Sequence, residues 1–298
     1  MSRLLGPVEL AVRQQCKTGE SPVWDAPRAC LWWVDINGPT LFRLTPATGA
    51  VREWHFGEAI GCVARVSDGA LLLALRSGLV RFDPDTGAQT ALTPAPYDPS
   101  RYRFNDGKVD PQGRFWVGTM HEPRTERSAQ LYCLTAEGLE ARAGDVMVSN
   151  GLAWSPDGTR LYHSDTRAHA IYTYPMDPAT GAIGARSIFA SLPPAGGRPD
   201  GAAMDCEGGY WSAQFAGGRV LRFAPDGTIT DAISLPVSRP TMVAFGGPDR
   251  QTLYITSAAE GLTAEQLAAE PLAGSLFSLR VAVPGEAIPA VAYPLSGT

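Results

Sequence analysis

Residues 103–120 read RFNDGKVDPQGRFWVGTM, two strand-like runs joined by a tight Asp-Pro-Gln-Gly turn. The second run, FWVGT (115–119), is rich in the aromatic and β-branched residues that suit a pleated sheet. It has five counterparts: LWWVD (31–35), LLLAL (71–75), LYHSD (161–165), YWSAQ (210–214) and LYITS (253–257). Successive starts lie 40, 44, 46, 49 and 43 residues apart. Each follows a turn signal: DAPRAC, VSDGA, DPQGR, SPDGT, DCEGG and GPDRQ. Asp-Gly and related dipeptides between apolar runs mark hairpins, because glycine supplies positive φ without steric cost.

A further run follows each of the six: TLFRLTPATG, GLVRFDPDTG, QLYCLTAEG, AIYTYPMDPATG, RVLRFAPDG and SLFSLRV. A four-stranded antiparallel unit of 40–50 residues, met six times, is the period of propeller blades, since helical solenoids would show a 3.6-residue rhythm. The expected fold is all-β: a six-bladed β-propeller of four-stranded antiparallel blades, one domain over residues 1–298. The helical-looking TAEQLAAEPL (263–272) reads as a short excursion inside the last blade.

Composition agrees. Hydrophobic residues make up 44% of the 298, which is ordinary for a globular chain. The 32 Gly and 25 Pro are scattered, as frequent turns require. With a net charge of -5 and no clustered basic residues, nothing points to nucleic acid. No apolar run approaches the roughly 18 residues of a membrane span, and MSRLLGPVELAVRQQC lacks a signal-peptide core. Cys16, Cys30, Cys62, Cys133 and Cys206 are odd in number and lack CxxC spacing. They read as separate buried thiols in a cytoplasmic protein. No obligate protein partner is indicated.

The innermost strand of a propeller blade lines the axis, and its entry opens at one mouth. Ten or eleven positions upstream of the landmark runs stand Glu20, Asn105, Asn150 and Asp200, in blades one, three, four and five. Blades two and six hold Ile60-Gly61 and Pro240-Thr241-Met242 there. Singly, Asn-Gly and Pro-Asp-Gly are turns; a shared register in four blades points instead to an axial site. Carboxylate and carboxamide oxygens suit a hard or borderline divalent cation.

The motifs GESPVWD, RFNDGKVDPQGRFWVGTM, SNGLAWSPDG and RPDGAAMD occur in one order over essentially the whole chain. With them the chain resembles the senescence-marker-protein/gluconolactonase/regucalcin-like family of metal-dependent lactonases. The resemblance implies that Glu20, Asn150 and Asp200 bind one divalent metal ion, with Asp200 also accepting a proton from water. It implies that Arg103 and Asn105 contact the substrate, a small-molecule sugar lactone. Calcium, zinc, manganese, magnesium and ferrous iron all serve in the family. After Gly118-Thr119-Met120 this chain has His121-Glu122-Pro123, where animal members resemble GTMAEE and place a substrate-contacting Glu at the position of Pro123. GTMH is closer to bacterial members that open pentono- or hexonolactones, which makes His121 a candidate substrate contact. The expected activity is hydrolysis of an aldono-1,4- or 1,5-lactone such as xylono-, arabino- or gluconolactone. A non-catalytic calcium-binding scaffold and an aryl-ester or organophosphate hydrolase are the alternatives.

Other signals carry blander readings. No G-x-S-x-G elbow is present, and His55, His121, His163 and His169 lack metal-ligand spacing. His163 and His169 read as structural. Asp83 to Gly87 reads as a hairpin turn, and Asp165 either orients a ligand or caps a turn. Trp24, Trp116, Trp154 and Trp211 read as packing between sheets, and Phe104 and Met120 as pocket wall.

Overall fold

The structure, a computed structural model, describes residues 3–292. Its described strands form six four-stranded antiparallel sheets, as the repeat requires. In blade one Gly19–Asp25, Cys30–Asp35, Thr40–Thr45 and Ala50–His55 pair in chain order, and blades two to five repeat that order. The first strands are Gly19–Asp25, Ile60–Arg65, Tyr102–Val109, Ser149–Trp154, Arg198–Met204 and Pro240–Gly246. Each touches its counterparts in the two neighbouring blades, so the six close a ring around the axis.

The landmark runs are therefore second strands, one layer out, and the axial residues lie on the innermost strands themselves rather than in the loops before them. A second strand is covered on both faces by adjacent blades. That is why Cys30–Asp35 and Leu71–Leu75 are buried at every position and show no alternation. Outermost strands such as Ala50–His55 face water and are largely exposed.

Blade six closes the ring with both ends of the chain. Its sheet runs Pro240–Gly246, Thr252–Ser257, Leu276–Arg280 and then Glu9–Val12, with Glu9 opposite Ser278 and Leu10 opposite Phe277. An N-terminal strand thus supplies the fourth position, which the repeat spacing does not reveal. Between Ser257 and Leu276 lies the helix Ala264–Ala269, begun by a capping box between Thr263 and Gln266.

Aromatic rings join the blades as expected. Trp24 stacks on Tyr254, Trp116 meets Trp154 and Trp211 meets Phe245, at centroid separations of 6.2, 6.0 and 6.0 Å, each pair spanning two blades. Trp116 and Trp211 lie on second strands; Trp24 and Trp154 lie on first strands. The true equivalent of Trp116 and Trp211 in blade one is Trp32. In all three blades the indole N–H donates to the aspartate that opens the preceding turn: Trp32 to Asp25, Trp116 to Asp110 and Trp211 to Asp205, at 3.1, 3.0 and 2.8 Å. The same carboxylates accept turn backbone N–H groups, for example from Gln112 and Arg114 or from Glu207 and Gly209. Leaving a buried indole N–H unpaired costs about 1–3 kcal/mol, so a turn aspartate and a core tryptophan are retained as a unit.

Candidate active site

Each innermost strand breaks its ladder at one level. The register slips between Glu20 and Val23, Ile60 and Cys62, Phe104 and Gly107, Asn150 and Ala153, Pro199 and Ala202, and Pro240 and Val243. A β-bulge adds a residue to one strand and re-aims the neighbouring side chains, here toward the axis. After Glu20 the bulge opens with Ser21 at φ 51°, and after Asn150 with Gly151 at φ 61°. At Ser21 the left-handed backbone is strained for a side-chain-bearing residue. Gly151 has no alternative: a β-carbon there would meet the Tyr210 hydroxyl at 2.5 Å and the Asp200 carbonyl oxygen at 2.9 Å. Blade two contributes no polar group because a β-carbon at Gly61 would lie 2.6 Å from the Phe104 backbone.

Glu20, Arg103, Asn105, Asn150 and Asp200 are 3–7% exposed and line one cavity of about 380 Å³ at the end of the axis where the innermost strands begin. That volume falls in the range of small-molecule sites. The Asn150 carboxamide N–H group donates to the Asp200 carboxylate and, at 3.0 Å, to Thr166, whose hydroxyl donates to the Pro199 carbonyl. Glu20 accepts the backbone N–H of Ser21 at 2.8 Å. Arg103 donates to Asn105 Oδ1 at 2.7 Å and to the Phe104 carbonyl, while Asn105 Nδ2 donates to the Ser149 carbonyl at 3.0 Å. Asn105 thereby holds Arg103 and ties blade three to blade four. A 240 Å³ cavity at the opposite end of the axis is mainly apolar, with Arg65, Lys108, Arg250 and Glu286 among its lining residues.

Burial, then the charge of Glu20, raises the proton affinity of Asp200 well above the carboxylate range; burial and then Asp106 do the same to Glu20. Burial pulls Arg103 down to about 10. Two carboxylates face one cavity, and among the described residues neither forms an ion pair with a cationic side chain; burial outweighs the lowering by Arg103 at both. Asn150 Oδ1 is buried and has no hydrogen-bond partner. An orphan carboxamide oxygen beside two destabilised carboxylates is the donor set a divalent cation satisfies. Among the described residues no group of three His, Cys, Asp or Glu side chains is gathered, because the third oxygen here belongs to an asparagine.

His121 stands outside this cavity. It ends the second strand of blade three opposite Tyr102, packs on the Tyr102 ring at 4.9 Å and meets Arg101 at 3.2 Å, while Met120 faces the cavity. Strand alternation decides this, because adjacent side chains point to opposite faces. Phe104 likewise turns away and packs edge-on against Tyr97. Asp165 accepts the backbone N–H groups of Met147, Val148 and Arg167, so it caps turns. His163 is buried against Ser149 Oγ at 2.7 Å and burial holds it at about 3, uncharged; His169 bonds the Gly197 carbonyl. Asp83 closes a turn through the N–H groups of Asp85 and Thr86. All five thiols are free, but Cys206 is exposed rather than buried.

Two charged residues, the buried Asp106 and the half-buried Lys108, escape the sequence reading. Asp106, next to Asn105 in the bulge, accepts the Leu152 N–H at 2.9 Å and its other oxygen has no partner. Burial raises its proton affinity and lowers that of Lys108, which donates to the Ala202 carbonyl. Asp106 is visible only as one of a turn-like Asn-Asp-Gly. The cavity also collects arginines from four blades, scattered in sequence and so without a local signal.

A six-bladed propeller with a charged pocket on its axis, carboxylate and carboxamide oxygens at its floor, is the class that this fold and site define. A family model described as SMP-30/Gluconolactonase/LRE-like region matches residues 18–259, and the chain belongs to that family. It is 48% identical over 284 residues to a 6-deoxy-6-sulfogluconolactonase of Pseudomonas putida, covering 95% of this chain and 97% of that one. It is 35% identical over 285 residues to the pentonolactonase XacC of Haloferax volcanii, covering 93% and 96%. Among solved structures, the calcium-binding protein regucalcin from Agrobacterium tumefaciens superimposes with a TM-score of 0.92 at 29% identity, covering 95% and 97%. No helix among the described residues is long and apolar enough to cross a membrane.

Proposed function

We propose that the chain is a metal-dependent hydrolase that opens a sugar lactone to its aldonic acid. The observation that carries this is the unpartnered Asn150 Oδ1 beside the buried Glu20 and Asp200 carboxylates, with the Arg103–Asn105 pair across the same cavity. Relatives named for opening sulfogluconolactone and pentonolactone support the reaction class, and the aldonolactone ring is the element common to both names. The calcium-binding relative supports a divalent ion.

Glu20, Asn150 and Asp200 would hold that ion. When bound, it supplies Lewis acidity to a carbonyl oxygen and lowers the pKa of water. Asp200, whose buried carboxylate takes up a proton readily, accepts one from the attacking water. The water oxygen bonds to the lactone carbonyl carbon, the ring C–O bond breaks, and the ring oxygen leaves as the new hydroxyl by receiving the proton that Asp200 took from the water. One water is consumed, and the acid then ionises. Arg103, donor-only and braced by Asn105, hydrogen-bonds substrate oxygens and the product carboxylate.

A pH-stat assay of xylono-, arabino- and gluconolactone with calcium, manganese, zinc, magnesium or ferrous iron, and with chelator, tests the reading. Metal-dependent opening of at least one lactone above its spontaneous rate is expected. Background rates under every metal refute it.

A further inference from the structure

We propose that Arg124, Arg167, Arg198 and Arg239 form a cationic collar at the cavity mouth. It would bind a tetrahedral oxyanion, a sulfonate or a phosphate monoester, carried by the substrate away from its scissile carbonyl. The proposal rests on the lactonase reading for the reacting end only.

Blades three, four, five and six each place one of these arginines on the cavity wall. Arg124 follows Met120 at a left-handed backbone position, φ 55°. Arg167 sits in the 3-10 turn Thr166–Ala168. Arg198 begins an innermost strand two residues before Asp200. Arg239 lies just before the innermost strand of blade six.

The side chains of Arg124, Arg167 and Arg198 make no hydrogen bond or ion pair with any described residue. Arg239 donates to the backbone carbonyls of Glu260 and Gly261 and lies over the Phe215 ring at 5.5 Å. Among the described residues none of the four forms an ion pair with a carboxylate, although Arg124 acts on Glu122 and Glu260 at longer range. Glu260, the acidic residue at the mouth, is taken up by Thr18 at 2.6 Å and by Asn37. The arginines also feel one another: after burial, Arg167, Arg124 and Arg239 depress Arg198, and the Asp200 carboxylate offsets this last and least. Concentrating this charge in a chain of net charge -5 works against its general balance and marks a place for an anion.

Donor chemistry narrows the ligand. A neutral sugar offers hydroxyls that donate as well as accept, whereas guanidinium only donates. Three equivalent oxygens of a sulfonate or phosphate ester accommodate several planar forks. On the blade-one side the wall is the neutral-polar cluster of Thr18 and Asn37 with Glu260, and it holds no arginine.

The test compares kcat/KM for δ-gluconolactone, its 6-deoxy-6-sulfonate analogue and 6-phosphogluconolactone, in the metal-loaded enzyme and in Arg167→Gln/Arg198→Gln. A charge-assisted hydrogen bond is worth roughly tenfold or more. Wild type is expected to favour at least one charged lactone over the neutral one by about tenfold or more, less at high salt. The double variant should lose at least about tenfold more on that lactone than on the neutral one. Preference for the sulfonate or for the phosphate ester identifies the source of the anion. Equal turnover of charged and neutral lactones by wild type, or an equal loss on both in the variant, overturns the collar. Calorimetric binding of gluconate and 6-phosphogluconate reads the collar without turnover. If no lactone is opened yet the phosphorylated acid binds more tightly, and the variant loses the difference, the collar stands and the lactonase reading falls.

Discussion

Asp200→Asn should make the metal-free protein more stable while disabling the enzyme. The side chain keeps its shape, and its amide oxygen still accepts from Asn150. What disappears is a charge whose burial and proximity to Glu20 raise its proton affinity. Relieving one uncompensated buried charge is worth about 1–3 kcal/mol, and a chain of this size gains about 2 °C per kcal/mol. A Tm rise of about 2–6 °C is expected in chelator at pH 8. The sign follows from linkage. A carboxyl whose folded pKa exceeds its unfolded value binds protons better when native, so its contribution declines as pH climbs from the unfolded pKa through the folded one. As the pH is lowered toward 5 the native Asp200 takes up its proton ahead of the unfolded chain, becoming an acid replaced by its amide, and the advantage should shrink. Loss of the anionic charge at the metal and of the proton acceptor should lower kcat/KM by more than about 10²-fold, beyond what residues behind a ligand usually contribute. Scanning calorimetry at pH 5 and 8, with metal content and lactone turnover, decides. A variant less stable than wild type at pH 8 without metal, or equally favoured at both pH values, would falsify the electrostatic account.

For the wild-type protein in chelator, the raised pKa values of Glu20 and Asp200 predict a Tm that falls from pH 5 to 8. Calcium or manganese at a fixed concentration about 100 times its Kd at pH 7 should restore about 2.7 kcal/mol there, with a larger gain at higher pH because protons compete for the ligands; a pH-independent gain at that concentration contradicts the assignment. Asn105→Ala frees Arg103 and should raise KM or lower kcat by about 10- to 100-fold while metal content, read by elemental analysis, stays intact; loss of the metal would place Asn105 among the ligands. Asp205→Ala strands the Trp211 indole and the buried Arg222, which Asp205 binds at 2.7 Å, and should cost about 3–5 kcal/mol in denaturant unfolding. A loss under 1 kcal/mol would show that the turn aspartates are not what anchors the tryptophans.

The six repeats were legible because second strands, enclosed between blades, must be apolar along their whole length. Their turns need Asp and Gly at fixed positions. The shared level of Glu20, Asn105, Asn150 and Asp200 was legible for the same reason: a radial repeat turns equal sequence offsets into equal heights. Side-chain orientation is not encoded by sequence position alone. His121 and Phe104 sit next to cavity residues in the chain, yet strand alternation points them away. Asp106 looked like part of a turn, although the bulge buries it beneath the acidic pair.

Sequence alone therefore determined the number of blades, their order and the residues at the level of the site, since each is encoded in local periodicity. Tertiary structure decided which neighbours meet. Ring closure brings Glu9–Val12 to Leu276–Arg280 and carries Glu20, Asn150 and Asp200 to one cavity. It also draws four arginines from four blades to its mouth. None of these contacts is near in sequence. They exist because burying both faces of every blade forces the sheets into a closed circle, where distant residues share an axis.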